Sequence, residues 1–322
     1  MGATNAMSNS LSQWLFPPSA LHSTPSSVTS NIPLEKELYD RARGVEFLFR
    51  LGVSLVLPTS AMFTAATWFH RFYMRFSMED YHRQDVAAAC IFLATKTEEC
   101  GRKLRDVAKI YCSKVSRIEL KEIPDDSREV EDSENAILQT EEVLLEALCF
   151  DFVVDSPHAE LVDLFDAREV QSEVEDFAWS IANDSYRTPL CILYPPRIIA
   201  AACYILAQQL VEGPQSTSLA ARLASPAPSA SLPTPPSQKP SPMTSRFAVE
   251  FFKFNEIELA SVRDALSILL EFYAAQDLQG STEYLATIGS IPPPTTSANR
   301  EKLYLPFTHV TQNATLQGQT AT

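Results

Sequence analysis

Charged residues that could bind a partner follow one of two nearly identical apolar segments. Residues 87–94 read AAACIFLA and residues 200–207 read AAACYILA, at an offset of 113 positions. The residues that come next differ between the copies: Lys96, Glu98 and Glu99 follow the first, and Gln209, Val211 and Glu212 the second. A lysine ammonium can donate hydrogen bonds to several carbonyl oxygens of a partner. Lys96 alone would also fit a lysine that complements a helix dipole, and the asymmetry between the copies favours a binding role.

Residues suited to catalysis or metal binding do not form a recognisable constellation. None of the 8 glycines forms GxG, so dinucleotide and phosphate loops are excluded. The six cysteines show no CxxC spacing, which argues against a zinc ribbon or a paired redox site. His70 lies within the aromatic stretch WFHRFYMRF and is interpreted as a packing residue. We therefore expect no catalytic residue, no metal and no cofactor.

The overall charge narrows the class of partner. The formal net charge is −14 and the pI is about 4.8, so a surface of this kind repels nucleic-acid phosphates. No apolar run reaches the roughly 18–20 residues that cross a bilayer, and no basic stretch followed by an apolar core marks a secretory signal. The expectation is a soluble intracellular protein with reduced thiols that binds neither nucleic acid nor membrane directly.

Helical periodicity extends over two long stretches of the chain. Apolar residues recur at steps of three and four, beginning with Leu38, Ala42 and Val45, and no alternating strand pattern interrupts them. Five helices are predicted over 34–150 and a second helical domain over 151–280, with the repeated segment as the third helix of each. The sequence thus predicts an all-α protein of two tandem five-helix domains.

Polar, proline-rich sequence flanks and interrupts these domains. Residues 1–33 are predicted to be a flexible segment, although the apolar cluster Trp14-Leu15-Phe16 should either pack on the first domain or act as a docking peptide. Residues 212–246 read as an extended insert, and residues 281–322 as a disordered tail. Three serines or threonines of the insert precede proline and suit proline-directed phosphorylation, although such pairs are also expected by composition: Ser225, Thr234 and Ser241.

Several segments together resemble the cyclin family. They are RARGVEFLF (41–49), FHRFYMRFSM (69–78), AAACIFLATKTEE (87–99), EEVLLEALCFDF (141–152), PHAELVDLF (157–165) and ANDSYRTPLCILYPPRIIAAACYILA (182–207). The combination of HRFYM with the NDS stretch is similar to the transcriptional branch, which includes cyclin T, cyclin K and the fungal β subunit of the kinase that acts on the C-terminal domain (CTD) of RNA polymerase II.

The resemblance implies a regulatory subunit that binds and activates a cyclin-dependent kinase. In this family the third and fifth helices of the first cyclin box dock on the kinase's mobile regulatory helix. Lys96 corresponds to the lysine of the box and Glu141 to its acidic partner, and three further residues match the kinase-facing surface: Phe92, Glu99 and Phe150. The implied substrate of the complex is the CTD during transcription elongation, in the nucleus, with or without a third subunit.

Other assignments remain open at this stage. Mediator-type cyclin C and splicing-associated cyclin L belong to the same class, although the chain has no Arg-Ser tail. A transcription factor of the TFIIB type also uses two cyclin-like repeats, but it would need a zinc ribbon and basic DNA-facing surfaces. The basic cluster Arg102, Lys103 and Arg105 fits either a solvated turn or a contact with a phosphorylated kinase loop.

Overall fold

The computed structural model describes residues 13–124, 126–167, 170–213, 216–224, 246–276, 287–294 and 301–310. Throughout these ranges the regular elements are α-helices and short 3₁₀ helices, without a strand, which confirms the predicted all-α class. The chain divides into two compact units. The first comprises Met1–Asp155, Asn183–Leu193 and Phe307–Thr322, and the second Ser156–Ala182 and Tyr194–Pro306.

The first unit contains the five long helices that the sequence predicts for its first domain. They are α1 Leu34–Ser54, α2 Thr59–Phe72, α3 Arg83–Thr97, α4 Leu104–Ser116 and α5 Arg128–Ala147. Helix α3 is the central one, and its residues 86–95 are all buried. A helix that is apolar on every side needs neighbours all round, and α1, α2, α4 and α5 all pack against it. The core of the unit is therefore built around the first repeated segment.

Close approach of α1 to α2 depends on a glycine. A Cβ atom added at Gly44 would lie 2.2 Å from Cζ of Phe69, a distance no side chain tolerates. The missing side chain lets the aromatic ring pack directly on the α1 backbone. This contact holds α2, and with it the aromatic stretch that surrounds His70, against α1.

The second unit is organised around the second repeated segment. Its main helices are α6 Pro157–Asp166, α7 Ser172–Ser185, α8 Pro196–Glu212, the short α9 Phe247–Phe252 and α10 Glu256–Ala275. The last three residues of α7 belong to the first unit. Helix α8 contacts α6, α9 and α10, and its residues 198–209 are buried. The repeated segment is thus a central helix in both units, as the sequence predicts.

Residues 183–193 differ from their predicted place in the second domain, because they belong to the first unit. The short helix Leu190–Leu193 packs on α2, and the backbone carbonyl of Tyr186 bonds to His70. These contacts join residues more than a hundred positions apart, and the order of the chain does not reveal them.

The N-terminal segment differs from the flexible stretch that its polar composition predicts. Residues 13–33 include the 3₁₀ helix Pro18–Ser23 and the short helix Pro25–Val28, and the side chains of Trp14 and Leu21 are buried. The buried side chains of Trp14 and Leu21 hold this otherwise polar segment in a fixed position. The cluster around Trp14 therefore packs on the first unit, which was one of its two predicted roles.

Two further segments predicted to lack structure contain folded parts. Within the insert 212–246, residues 219–222 form a helix whose Arg222 side chain is fully buried, and Arg222 donates to Glu212 at 2.6 Å and to the carbonyl of Thr217 at 3.0 Å. Within the tail, Tyr304 packs edge-on against Phe272 in the second unit. Both folded parts are held by contacts of buried side chains, which the composition of the segments does not reveal. Ser225, Thr234 and Ser241 lie outside the described residues.

No helix in the described part of the chain is long and apolar enough to span a membrane.

Candidate functional site

Lys96 and Glu141 form an ion pair at the surface of the first unit. The Nζ atom of Lys96 lies 2.7 Å from Oε1 and 2.8 Å from Oε2 of Glu141. The Lys96 side chain is 47% exposed, whereas that of Glu141 is only 8% exposed. Both carboxylate oxygens of Glu141 accept hydrogen bonds from the Lys96 ammonium, so the lysine is held in place. Much of its side chain nevertheless stays exposed. Such a group can donate further hydrogen bonds to a partner.

The two helices and one aromatic ring position this lysine. Lys96 lies in the last turn of α3 and Glu141 lies on α5, and the two helices pack against each other. Phe92 precedes Lys96 by one turn, and the centroid of its ring lies 4.0 Å from the ammonium. A cation over an aromatic face is stabilised electrostatically. Phe92 is itself buried, so its ring is a fixed support for the Lys96 ammonium.

Glu99 and Phe150 are exposed at the ends of the same two helices. Helix α3 ends with the N–H of Cys100 bonded to the Thr95 carbonyl and the N–H of Glu99 bonded to that of Lys96. This is the Schellman pattern, which places one residue in the left-handed conformation. That residue is Glu99, with φ of 51°, where a glycine is usual.

Helix α5 ends in the same way. The N–H of Phe150 bonds to the Leu145 carbonyl, the N–H of Cys149 bonds to that of Glu146, and Cys149 has φ of 52°. Phe150 follows with φ of 56° and a side chain that is 65% exposed. Non-glycine residues in this conformation are strained, and such strain concentrates at functional sites. Both helix ends therefore carry side chains in places where a glycine would be less strained.

Of the five residues that the resemblance assigns to a kinase-facing surface, three are in contact. Lys96, Glu141 and Phe92 form the cluster described above, and Glu99 lies one turn beyond Lys96. Phe150 contacts Phe152 at a centroid distance of 6.3 Å, and Phe152 contacts Trp68. Within the described residues, no hydrogen bond or ring contact joins Phe150 to Lys96.

The turn that presents Phe150 is attached to the N-terminal segment. Trp14 Nε1 donates to Oδ2 of Asp151 at 3.0 Å, and the guanidinium of Arg71 lies 4.9 Å from the Trp14 ring. Arg71 also donates to the carbonyl of Val153 at 3.0 Å. The residues that follow Phe150 are thereby fixed to α2 and to Trp14.

A buried polar network inside the first unit was not predicted from the sequence. Arg41 on α1 pairs with Glu37 at 2.7 Å, and both side chains are fully buried. Arg41 also donates to the carbonyl oxygens of His70 at 3.0 Å and Tyr73 at 2.9 Å, and Thr24 donates to Glu37. The spacing of four between Glu37 and Arg41 was an available signal, but it usually marks an exposed helix face.

His70 is a packing residue that belongs to this network. Its Nε2–H donates to the carbonyl of Tyr186 at 2.8 Å. In this tautomer Nδ1 carries no proton, so it can accept a hydrogen bond from the guanidinium of Arg41 at 3.4 Å. Burial first, and then the charge of Arg41, lowers the pKa of His70 to about 3, although the bond to Tyr186 opposes the shift. The imidazole is therefore neutral at physiological pH.

The lowered pKa of His70 predicts a loss of stability in acid. Between pH 6.5 and about 3 the unfolded state binds a proton at this histidine and the folded state does not. The free energy of unfolding should therefore fall by about 1.4 kcal/mol for each pH unit in that window as the pH decreases. Urea unfolding of the unmodified protein and of His70→Gln, measured from pH 7 to pH 4, should show a shallower pH dependence for the variant. Parallel curves would contradict the assignment.

The basic cluster at residues 102–105 is largely committed to the fold. Arg102 donates to the carbonyl oxygens of Leu55 at 2.9 Å, Val56 at 2.8 Å and Cys100 at 2.7 Å. Arg105 pairs with Glu134 at 3.2 Å. Arg102 thus connects the end of α1 with the turn after α3, a structural role rather than that of a free anion site.

A known protein family matches the part of the chain that contains Lys96 and Glu141. Residues 21–153 match a family model described as "Cyclin, N-terminal domain". Cyclin pch1 of Schizosaccharomyces pombe is 43% identical over 199 residues, 61% of this chain and 58% of that protein. Cyclin-T1-4 of Arabidopsis thaliana is 31% identical over 218 residues, 65% of this chain and 39% of that protein. The chain thus spans roughly two fifths to three fifths of the length of these relatives.

A solved structure shows the same fold. The crystal structure of the yeast RNA Pol II CTD kinase CTDK-1 complex contains a chain that matches with a TM-score of 0.59 and 18% identity, over 93% of this chain and 83% of that one. Residues 21–153 are thus similar to the N-terminal domain of cyclins, and the solved structure has the same all-α fold. The curated relatives that the chain resembles are transcriptional cyclins.

Proposed function

We propose that the chain is a regulatory subunit that binds and activates a cyclin-dependent kinase, and that the complex phosphorylates the CTD of RNA polymerase II in the nucleus during transcription elongation. The observation that carries the proposal is the ion pair between the last turn of α3 and Glu141 of α5, because a half-exposed lysine is held there by a buried carboxylate. The similarity to transcriptional cyclins and to a CTD kinase complex supports it.

The physical basis of activation is a shift between two kinase conformations. A protein kinase needs an ion pair between the lysine of its β3 strand and the glutamate of its αC helix before the ATP phosphates are held correctly. A rigid surface that binds only the inward position of αC favours the active conformation. Changing a ratio of 1:99 into 99:1 requires about 5.5 kcal/mol of differential binding.

The residues at the site can supply binding energy of that order. Lys96 would donate charge-assisted hydrogen bonds to carbonyl oxygens of the kinase, while Glu141 balances the positive charge of Lys96 within the protein. Phe150 offers an exposed aromatic ring for burial, and such anchors dominate the energetics of many interfaces. Phe92 and Glu141 act on the kinase through Lys96, whereas Glu99 and Phe150 would contact it directly.

Purification of the tagged protein from a nuclear extract tests the proposal. A cyclin-dependent kinase should copurify in near-stoichiometric yield, and the eluate should phosphorylate a peptide of CTD heptad repeats. Mass spectrometry identifies the kinase and any third subunit. Recovery of polymerase or promoter factors without a kinase would refute the proposal.

A glycine substitution at the end of α3 separates stability from binding. Glu99→Gly relieves a left-handed strain of about 1–2 kcal/mol, and the added chain entropy of glycine removes about 0.5–1 kcal/mol of that gain. The free energy of unfolding should thus rise by about 0.5–1 kcal/mol, as measured by urea unfolding. Kinase affinity, measured by calorimetry with the purified kinase, should nevertheless decrease because the carboxylate is lost.

Arg117→Gly is the matched control for this substitution. Arg117 ends α4 with φ of 58°, and the resemblance places no kinase contact there. Its stability should rise by a similar amount while kinase affinity stays unchanged. If Glu99→Gly bound the kinase as tightly as the unmodified protein, Glu99 would not be part of the interface.

A further inference from the structure

An open groove of about 470 Å³ lies over the outer face of α1 in the first unit. Four residues of its lining recur at steps of three and four, so they share one face of this helix: Glu46, Phe49, Arg50 and Val53. Lys114, from the last turn of α4, and two residues of the segment 183–193 also line it. We call this feature the α1–α4 groove.

Positive side chains outnumber negative ones in the described lining of the groove. Arg50, Lys114 and Arg187 are positive, whereas Glu46 and Asp184 are negative. Both carboxylates already have a partner within the protein: Glu46 pairs with Arg43 at 2.6 Å, and Asp184 pairs with Arg187 at 3.8 Å. The whole chain has a formal net charge of −14, so the balance of charge at this groove is opposite in sign to that of the chain.

Two of the positive groups are available to a ligand. Arg50 and Lys114 are both exposed, and neither side chain forms a hydrogen bond or an ion pair with any residue that the structure describes. The guanidinium of Arg50 lies 5.9 Å from the centroid of the Phe47 ring, a contact that leaves its N–H groups open. Arginine and lysine both donate strong charge-assisted hydrogen bonds to phosphate. A phosphate dianion between the two side chains would match both positive charges.

Apolar surface in the same groove favours a peptide as the carrier of the phosphate. Phe49 is half-buried and Val53 is 66% exposed, and both line the groove beside the two cations. Residues that flank a phosphorylated side chain can bury apolar area there. The carboxylates of Glu46 and Asp184 interrupt the positive surface, so the groove fits a single phosphate better than the regular row of phosphates of a nucleic-acid strand.

We propose that the α1–α4 groove binds phosphorylated heptad repeats of the CTD, with a phosphate between Arg50 and Lys114 and neighbouring residues of the repeat on Phe49 and Val53. This role rests on the proposed function, because the associated kinase supplies the phosphates. A bound repeat keeps the remaining repeats close to the kinase and raises their effective concentration. The groove thus retains a partly phosphorylated substrate.

Calorimetry on the purified chain without a kinase tests the binding. The probe is a peptide of two heptad repeats, phosphorylated at each serine that precedes proline. It should bind saturably, and the unphosphorylated peptide should bind about tenfold more weakly or worse, since it lacks the charge-assisted bonds. Absence of saturable binding, or equal affinity for the two peptides, would overturn the proposal.

Two further ligands define what the groove recognises. A peptide with glutamate at the phosphorylated positions should also bind weakly, because a carboxylate has less charge and fewer acceptor oxygens than a phosphate. Affinity equal to that of the phosphorylated peptide would overturn the assignment to phosphate. A single-stranded RNA of the same net charge should bind more weakly than the phosphorylated peptide, and tighter binding of the RNA would assign the groove to nucleic acid instead.

Charge reversal of the two cations locates the binding. Arg50→Glu and Lys114→Glu should each lower the affinity for the phosphorylated peptide about tenfold or more. Circular dichroism should show an unchanged helical content, because both side chains are exposed. Lys103→Glu is the matched control, since Lys103 is an exposed lysine at the other end of α4, about 16 Å along the helix axis from Lys114. Unchanged affinity in either groove variant, or an equal loss in the control, would overturn the proposal.

The groove and the kinase-regulating function fail in different ways. If a kinase copurifies with the chain but the purified chain does not bind phosphorylated repeats, the groove proposal alone is refuted. If phosphorylated repeats bind through Arg50 and Lys114 but no kinase copurifies, the groove stands as a phosphopeptide site and the kinase-regulating function is refuted.

Discussion

Lys96→Glu should reduce kinase binding and activation by at least about 30-fold, the loss that corresponds to a hot-spot residue of ~2 kcal/mol. The substitution removes the donor that we propose faces the kinase and places a second carboxylate beside Glu141, whose oxygens lie 2.7 and 2.8 Å from the ammonium of Lys96. The affinity is measured by calorimetry and the activation by phosphorylation of a heptad-repeat peptide. Circular dichroism should show an unchanged helical content, because Lys96 is half-exposed.

An exchange of the two charges distinguishes a role in folding from a role in binding. Lys96→Glu combined with Glu141→Lys can restore the ion pair and the stability, but the ammonium would then start from α5 instead of α3. The kinase should therefore still bind weakly. Lys121→Glu is the control, because Lys121 pairs with Glu119 in an exposed position of the same unit and should have no effect. Full activation by Lys96→Glu would refute the assignment of the surface.

Arg41→Met should lower the free energy of unfolding by about 3–5 kcal/mol. The side chains of Arg41 and Glu37 are both fully buried, so removal of the guanidinium leaves a charge in the core without its partner. The carbonyl oxygens of His70 and Tyr73 lose their donors at the same time. Urea unfolding measures the change, which is a large fraction of the stability of an ordinary domain.

Two comparisons make the Arg41 result specific. Arg43→Met removes a pair with Glu46 on the same helix, but there the side chains are 47% and 32% exposed, so the loss should be below about 1 kcal/mol. Arg41→Met combined with Glu37→Leu removes both buried charges and should recover much of the lost stability. A loss below 1 kcal/mol for Arg41→Met alone would show that the pair is not buried in solution.

Much of the fold followed from periodicity in the sequence. The two repeated apolar segments predicted the central helix of each unit, since a segment without a polar face must be surrounded by other helices. The assignment of residues 183–193 to the first unit did not follow from periodicity. Their attachment to the first unit rests on the packing of Leu190–Leu193 against α2 and on the bond between His70 and the Tyr186 carbonyl, and the residue types do not reveal such pairings between distant parts of the chain.

The site was only partly predictable. The asymmetry between the copies singled out Lys96, but nothing in the spacing connects it with Glu141, and only the resemblance to cyclins supplied that residue. The strained helix ends were not predicted, because the usual signal is a glycine, and Glu99 and Cys149 occupy those positions instead. The attachment of Trp14 was not resolved either, since its cluster fitted both packing and docking.

The contact between Trp14 and Asp151 bears on where the independently folding part of the chain begins. The family match starts at residue 21, but Trp14 is only 3% exposed and its indole N–H binds the residue next to Phe150. An expression clone trimmed to the family boundary would leave a vacant groove between α2 and the turn after α5. Recombinant fragments meant for crystallisation or inhibitor screening should therefore begin upstream of Gln13, which also donates to Asp151.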